Sequence, residues 1–246
     1  MASNIMTKVQ EGPLPQQART SRGSSSRQWV AFLADRVAPA SFFMFFLVAK
    51  GPHLSTALGQ AQTADGAGRW QAYLELANQS STGLFMALIV GLYILRSPSI
   101  RKESGALKRT VALAATLMAT PLVLAPTTID NLGVSFLASL LIIGGSAIAV
   151  AGILSLRRCF GILPEVRGLV TNGLYDHVRH PMYLGETIAF IGITLRVLSP
   201  LTISILAAYL LLQWRRALNE EALLESTFPG YREYSRRTKQ FVPLVW

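Results

Sequence analysis

Charged residues and cysteine are scarce in this 246-residue chain. Only 15% of the residues are charged, whereas 51% are hydrophobic and the mean hydropathy is +0.38. A typical soluble domain carries about 25% charged residues, so a soluble globular fold is disfavoured. The single cysteine, Cys159, excludes an internal disulfide. Three scattered histidines are too few for a metal cluster, and we therefore predict no metal site.

Acidic residues are rarer than basic ones, which gives a formal net charge of +10. The basic residues flank apolar runs instead of forming a stripe with interleaved aromatics. This distribution is typical of topology signals and lipid-surface contacts. The sequence therefore predicts contact with membrane lipids and no nucleic-acid partner.

Several apolar runs approach the roughly 20 residues that cross a hydrocarbon core. We predict an all-α integral membrane protein with about six transmembrane helices. The expected spans cover approximately residues 29–48, 80–95, 110–126, 132–156, 183–198 and 201–214. Ser199-Pro200 joins the last two spans as a short helical hairpin, and the final helix is expected to continue as a polar extension to Phe228.

Small residues and proline add detail to this prediction. Gly145, Ala149 and Gly152 recur at helical spacing in the fourth span, which allows a neighbouring helix to approach closely. Pro121 predicts a kink in the third span.

The distribution of Lys and Arg predicts the orientation. With six crossings and the N-terminus inside, 19 of these residues fall on the cytoplasmic side and three, Lys50, Arg69 and Arg196, fall outside. Arg36 lies within the first span, and the loop between the third and fourth spans carries Asp130. This bias predicts a multi-pass protein with both termini cytoplasmic.

Two polar clusters fall at the predicted cytoplasmic ends of the helices. Residues 168–185 read GLVTNGLYDHVRHPMYLG, and their Gly and Pro indicate irregular backbone, which membrane depth tolerates where it lines a cavity or is buried in protein. In the second cluster Arg216 and Glu220 lie four residues apart on one helix face. The alternatives are a connecting loop with interfacial aromatics and a solvated ion pair. Convergence at one membrane surface favours a functional site.

Together these segments resemble the isoprenylcysteine carboxyl methyltransferase and phospholipid methyltransferase superfamily. The resemblance rests on RHPMYLG at 179–185, the pair Glu220-Glu221 and the aromatic-rich tail at 228–243, and it covers about residues 150–246. It implies S-adenosylmethionine as the cofactor, held without a Rossmann domain. The sequence agrees, because it contains no Gly-rich strand-to-helix fingerprint.

The resemblance also implies roles for individual residues. The cofactor-binding positions it implies are Arg167, Gly168, Leu169, Val170, Tyr175, His180, Pro181, Met182, Tyr183 and Glu220. The catalytic candidates are Arg216, His180 and Glu221. Arg216 matches the arginine that holds the acceptor and suits an anionic group, whereas His180 or Glu221 would serve as a base for an amine or thiol. Asp176 departs from the family, which usually has a basic or aromatic residue there.

The implied activity is methyl transfer at the cytoplasmic membrane face to a lipophilic small molecule or lipidated acceptor. Carboxyl O-methylation of an isoprenylcysteine-like substrate is the favoured interpretation, and N-methylation of a lipid amine or S-methylation of a small thiol is the alternative. An NADPH-dependent sterol-reductase-like enzyme and a non-catalytic membrane protein stay open as further classes.

The same interpretation divides the chain into three regions and gives it a location. Residues 1–28 form a disordered basic tail, residues 29–130 form the N-terminal transmembrane helices, and residues 131–246 form the methyltransferase core with its cytoplasmic C-terminal region. A bacterial inner membrane or an endoplasmic reticulum-type membrane is the expected location.

Overall fold

The computed structural model describes residue 29 and residues 32–66, 68–102, 105–125, 131–163 and 165–241. The predicted N-terminal tail, most of the loop between the third and fourth predicted spans including Asp130, and the last five residues lie outside these ranges.

Helices dominate the described chain. They are α1 (Ala38–Ala49), α2 (Gly51–Thr63), α3 (Gly68–Leu95), α4 (Ala106–Ala119), α5 (Leu132–Leu156), α6 (Pro181–Arg196), α7 (Pro200–Thr227) and α8 (Tyr231–Arg237). A π-helical turn, Leu33–Val37, leads into α1, and 3₁₀ turns lie at Thr120–Leu124, Arg157–Cys159 and Gly173–Asp176. The all-α prediction missed one feature, an antiparallel pair of two-residue strands, β1 (Arg101–Lys102) and β2 (Glu165–Val166).

Three helical segments among the described residues are long and apolar enough to cross a membrane. They are Gly68–Leu95, Ala106–Leu124 and Leu132–Cys159. The second of them changes from α-helical to 3₁₀ geometry at Thr120, next to the proline at which we predicted a kink. The chain is thus a largely helical integral membrane protein, and the six-span topology stays a prediction.

Helices α5 and α6 approach each other through small residues. A Cβ atom added to Gly145 would lie 2.7 Å from the carbonyl oxygen of Gly185, and one added to Gly185 would lie 2.3 Å from the backbone nitrogen of Ala149. Gly152 similarly adjoins the backbone of Met182. The small residues of the fourth predicted span therefore permit the close helix packing that we expected, and α6 is the partner.

Helices α6 and α7 form the predicted hairpin. The Ser199 side chain accepts a hydrogen bond from the Thr202 backbone, and the Thr202 hydroxyl accepts one from the Ser199 backbone, which makes a capping box. Helix α7 then continues past its apolar half to Thr227, with Phe228 as its C-cap. The predicted polar extension is confirmed, and it carries Glu220 and Glu221 back toward the segment that precedes α6.

Two of the three basic residues predicted to lie outside, Lys50 and Arg196, lie in one polar network; Lys50 is buried and Arg196 is partly buried. Lys50 donates a hydrogen bond to Gln79, and Gln79 donates one to Glu75. Arg196 pairs with Glu75 at 2.8 Å. Groups of the protein therefore compensate both positive charges, and neither cation requires a lipid phosphate as its partner.

Candidate functional site

The C-terminal tail fixes the loop that precedes α6. The backbone nitrogen of Arg179 donates to Lys239 at 2.7 Å, and that of His180 donates to Gln240 at 3.1 Å. The Tyr234 hydroxyl donates to the carbonyl of Tyr175 at 2.6 Å. These hydrogen bonds satisfy backbone groups of the loop that have no partner within a helix. An irregular loop can therefore line a buried site.

Side chains of the same loop converge on Glu221 of α7. Arg179 donates to both carboxylate oxygens, at 2.8 and 3.3 Å, and His180 Nε2 lies 3.0 Å from Oε1. Gln240 donates a further hydrogen bond at 3.2 Å. Burial opposes the charged form, but the bonds from His180 and Arg179 outweigh it and lower the pKa of Glu221 to about 2. Such a carboxylate is a weak base, which favours a positioning role over the base role predicted from the sequence.

The neighbouring Glu220 contacts a different set of groups. It accepts a hydrogen bond from the Tyr183 hydroxyl at 2.5 Å. The Tyr183 ring stacks on the His180 ring, with the two centroids 5.1 Å apart. Arg216 makes a cation–π contact with the Tyr183 ring, and its Cζ lies 4.5 Å from the ring centroid. Tyr183 thus joins the loop, helix α7 and both charged residues of the second cluster.

A narrow cavity opens between the loop, α7 and the tail. It is lined by nine of the ten predicted cofactor-binding residues, namely Arg167, Gly168, Leu169, Val170, Tyr175, His180, Met182, Tyr183 and Glu220. Pro181, the tenth, does not line this cavity and instead occupies the first turn of α6, where its fixed φ suits a helix start. The structure therefore brings together residues that are far apart in sequence.

The lining of this cavity fits a nucleoside with a positively charged centre. Glu220 offers a carboxylate to ribose hydroxyls or an ammonium group, and Leu169 and Val170 offer apolar contact. The buried Tyr231 hydroxyl has no hydrogen-bond partner within the described chain, and burial raises its pKa, so it stays protonated and able to donate. The cavity volume is about 50 Å³, so side chains at its mouth must move to admit a ligand of nucleoside size.

Arg167 has a structural role as well. Its guanidinium donates to Glu165 at 2.5 Å and to the carbonyl of Ser97. These contacts tie β2 to the loop after α3. Because its side chain is fully buried, Arg167 shapes the cavity wall from a fixed position.

A second cavity, lined by the Arg216 side chain that contacts Tyr183, is mostly apolar. It has a volume of about 110 Å³ and extends between α1, α3, α4, α5, α6 and α7. Its polar lining includes Glu186, Tyr209, Gln213 and Arg216. Glu220 lines the first cavity and Glu186 lines the second, so the two carboxylates face different compartments.

Arg216 departs from the solvated pair that we weighed as an alternative. It is 5% exposed, and no salt bridge with Glu220 is found among the described residues. Its nearest acidic partner is Glu186 of α6, with Nη1 3.9 Å from Oε2. Burial and a partner on another helix place Arg216 in the protein interior, at the wall of the second cavity.

Sequence reasoning did not assign several residues of this region. Glu186 and Gln213 form a 2.7 Å hydrogen bond between α6 and α7, and Gln213 also contacts Tyr209 at 3.2 Å. A signal was present for Glu186, because an ionisable residue within an apolar helix is by default a candidate functional group. The role of Arg179 in holding Glu221 gave no comparable signal.

Parts of this chain are similar to known proteins. The family model described as phospholipid methyltransferase matches residues 132–230. Protein-S-isoprenylcysteine O-methyltransferase A of Arabidopsis thaliana is 31% identical over 136 residues, which cover 51% of this chain and 68% of that protein. The cobalt-zinc-cadmium resistance protein CzcN of Cupriavidus metallidurans is 34% identical over 76 residues, or 30% of this chain. The matched residues cover 35% of the length of that relative, which is about a third.

A solved structure of the eukaryotic intramembrane Ras methyltransferase, isoprenylcysteine carboxyl methyltransferase, overlaps 89% of this chain and 97% of its own. Its sequence identity is 18% and its TM-score is 0.41, which indicates only a loose correspondence. Membership rests instead on the Arabidopsis relative and on the matched core. The chain belongs to the isoprenylcysteine carboxyl methyltransferase and phospholipid methyltransferase superfamily.

Proposed function

We propose that this membrane protein transfers a methyl group from S-adenosylmethionine to a lipophilic acceptor. The observation that carries the proposal is a pair of cavities, one more polar and lined by Tyr183, the other largely apolar and lined by Arg216, whose two side chains contact each other. Bound S-adenosylmethionine supplies an electrophilic methyl group, so the protein's task is mainly to align donor and acceptor.

The first cavity is the proposed cofactor site. Glu220 would bind ribose or the ammonium group, with its carboxylate oriented by the Tyr183 hydroxyl. The aromatic face of Tyr175 would stabilise positive charge, whereas the Tyr183 ring already contacts His180 and Arg216. The network of His180 and Glu221 would hold the loop in register with α7, which is a positioning role.

The second cavity is the proposed acceptor site. Its apolar walls suit a hydrocarbon chain entering from the bilayer, and Arg216 lies at its polar end. The name of the Arabidopsis relative and the Arg216 guanidinium support carboxyl O-methylation of an isoprenylcysteine-like acceptor. The description of the family model and the Glu186 carboxylate support N-methylation of a lipid amine. S-methylation of a small thiol would use the same compartments.

The proposed arrangement also requires an orientation. A water-soluble cofactor reaches the first cavity from the cytoplasm if both termini lie on that side, as the basic residues predict. We propose residues 131–246 as the methyltransferase core and the preceding helices as part of the acceptor compartment, since Phe43, Met86 and Ala115 line the second cavity.

Cofactor binding is the first experiment. Purified protein in nanodiscs should bind S-adenosylmethionine in calorimetry, and Glu220→Gln should weaken binding roughly 10- to 150-fold, the range of one charge-assisted hydrogen bond. Glu225→Gln is the matched control, because Glu225 lies on the same helix and pairs with exposed Arg232 at 2.6 Å. Equal affinity in both variants would remove Glu220 from the site.

Product analysis is the second experiment. Membranes incubated with cofactor labelled in its methyl group should yield a labelled lipophilic product. Loss of the label under base identifies a methyl ester, whereas an N-methyl or S-methyl product persists. Binding of NADPH in place of S-adenosylmethionine would favour the reductase class, and binding of neither would favour a non-catalytic protein.

A further inference from the structure

The apolar cavity adjoins a small third cavity, which we call the polar chamber, with a volume of about 20 Å³. The polar residues that line the chamber are Lys50, Asn78, Gln79, Thr82 and Arg196. Thr82 of α3 and Ile193 of α6 line both cavities. Along α6 the lining of the apolar cavity begins at Glu186, and that of the chamber reaches Arg196 ten residues later, which corresponds to about 15 Å of helix. An acceptor held at Arg216 with its chain along α6 would therefore direct the far end of that chain toward the chamber.

Most polar groups of the chamber have partners within the protein. Lys50 donates a hydrogen bond to Gln79, and Arg196 pairs with Glu75 at 2.8 Å. The Thr82 hydroxyl donates to a backbone carbonyl one turn earlier in α3, at 2.9 Å. The chamber nevertheless contains one acceptor for which the described residues offer no donor.

Asn78 carries that acceptor. The residue is 3% exposed, and its Oδ1 has no hydrogen-bond partner among the residues that the structure describes. Its Nδ2 donates to Ser139 Oγ at 2.9 Å, and the Ser139 hydroxyl donates to the carbonyl of Ser135 at 2.8 Å. Because the Ser139 hydroxyl has no second hydrogen to give, the amide must direct Nδ2 toward it, which leaves Oδ1 as the acceptor. A buried acceptor without a donor is costly, so the chamber indicates a place for a group that donates.

We propose that the polar chamber binds a hydroxyl group at the far end of the acceptor's hydrocarbon chain, with Asn78 as the specificity-determining residue. The hydroxyl would donate to Asn78 Oδ1 and accept from the Lys50 ammonium, which carries three donor hydrogens. The rest of the chain would fill the apolar cavity. The inference rests on the proposed function, because it names the class of acceptor chain for the same site, and it applies to either kind of head group.

Other chain ends fit the chamber less well. A methyl group would bury Asn78 Oδ1 without a donor, and a carboxylate or carbonyl group can only accept. An ammonium group could donate, but it would meet the positive charges of Lys50 and Arg196, of which Glu75 compensates only one. A single water molecule could make the same two contacts as a hydroxyl, because the volume suffices for one. In that case a hydroxyl on the ligand would gain little by displacing it.

Two isomeric probes test the chain-end subsite without cofactor. The α,ω-diol of dodecane carries one hydroxyl at each end, whereas the terminal vicinal diol carries both hydroxyls at one end and a methyl group at the other. Calorimetry in phosphatidylcholine nanodiscs gives the affinity of each probe, corrected for its uptake by empty nanodiscs. The proteins compared are the wild type, Asn78→Leu and the control Ser80→Ala, since Ser80 is exposed and lies on the same helix.

The wild-type protein should bind the α,ω-diol more tightly than the vicinal diol by roughly 2- to 12-fold, the range of one neutral hydrogen bond. Asn78→Leu should bring the ratio near unity, and Ser80→Ala should leave it unchanged. If Asn78→Leu does not fold, Lys50→Met should lower the ratio, because it removes the proposed donor to the hydroxyl. Equal affinities in the wild type, the result expected if the chamber holds only water, overturn the inference, and so does an unchanged ratio in the folded variant.

The proposed function fails on a separate measurement, the binding of cofactor. A wild-type protein that prefers the α,ω-diol yet binds no S-adenosylmethionine retains the chain-end subsite and refutes the methyltransferase proposal. A protein that binds S-adenosylmethionine and shows no preference between the diols retains the proposed function and refutes the subsite.

Discussion

Adding one methyl group at Gly145 should separate the two helices that carry the site. A Cβ there would lie 2.4 Å from the backbone nitrogen of Ala189 and 2.7 Å from the carbonyl oxygen of Gly185. Both are backbone atoms, so relief requires α6 to move away from α5. Because α6 carries Tyr183, the shift should reach the proposed cofactor cavity.

The expected magnitude follows from two opposing effects. Replacing Gly by Ala within a helix stabilises by up to about 1 kcal/mol. Overpacking a tight contact costs about 1–3 kcal/mol, and a clash with backbone on the facing helix belongs at the upper end. Gly145→Ala should therefore be destabilising by about 2 kcal/mol, which corresponds to a fall in Tm of roughly 4–8 °C for a chain of this size.

Gly144 provides a control at the adjacent position. A Cβ added there meets nothing within 4 Å, so Gly144→Ala keeps the gain in helix propensity without the clash. Thermal unfolding in one detergent should place its Tm at or slightly above the wild type, with S-adenosylmethionine affinity unchanged. Equal Tm values for Gly144→Ala and Gly145→Ala would refute the packing argument.

Three further predictions concern charge and orientation. The depressed pKa of Glu221 gives a stability contribution that is complete above its ordinary value of 4.5 and is lost as pH falls toward about 2, so Tm should fall more steeply over that interval in the wild type than in Glu221→Gln. Arg216→Lys should restore less than half of the turnover lost in Arg216→Ala, because an ammonium cannot reproduce the planar guanidinium over Tyr183; full restoration in a methyl-transfer assay would contradict this. A cysteine at Lys239, in a background without Cys159, should react with a membrane-impermeant reagent only from the cytoplasmic side, and labelling from outside would refute the topology.

The sequence predicted best where one physical requirement dominates. The fourth predicted span, 132–156, coincides with α5 because an almost uninterrupted apolar run has few alternatives to a membrane helix. The end of α7 was also confirmed, since Pro229-Gly230 cannot continue a helix. By contrast, α2 was missed, because its Gly, Gln and Thr give a weak apolar pattern within a segment expected to be a loop.

The sequence predicted which residues belong to the candidate site, but it did not predict which of them contact each other. Nine of the ten residues carried over from the family line one cavity, which a shared order of motifs can indicate. The partner of Arg216 was not predictable, because spacing along α7 suggested Glu220 whereas packing between helices supplied Glu186. Contacts of this kind depend on the rotation of one helix against another, which a single sequence does not encode in any local pattern.

The pairing of residues 239 and 240 with the loop before α6 makes completion of the site a late event in biosynthesis. All helices through α8 are synthesised before the segment that clasps this loop. A chain interrupted before Thr238 would still contain every apolar helix needed for insertion, yet it would lack the backbone partners of Arg179 and His180. We therefore expect membrane integration and completion of the candidate site to be separable, so that a chain truncated before Thr238 would insert without the hydrogen bonds that hold this loop.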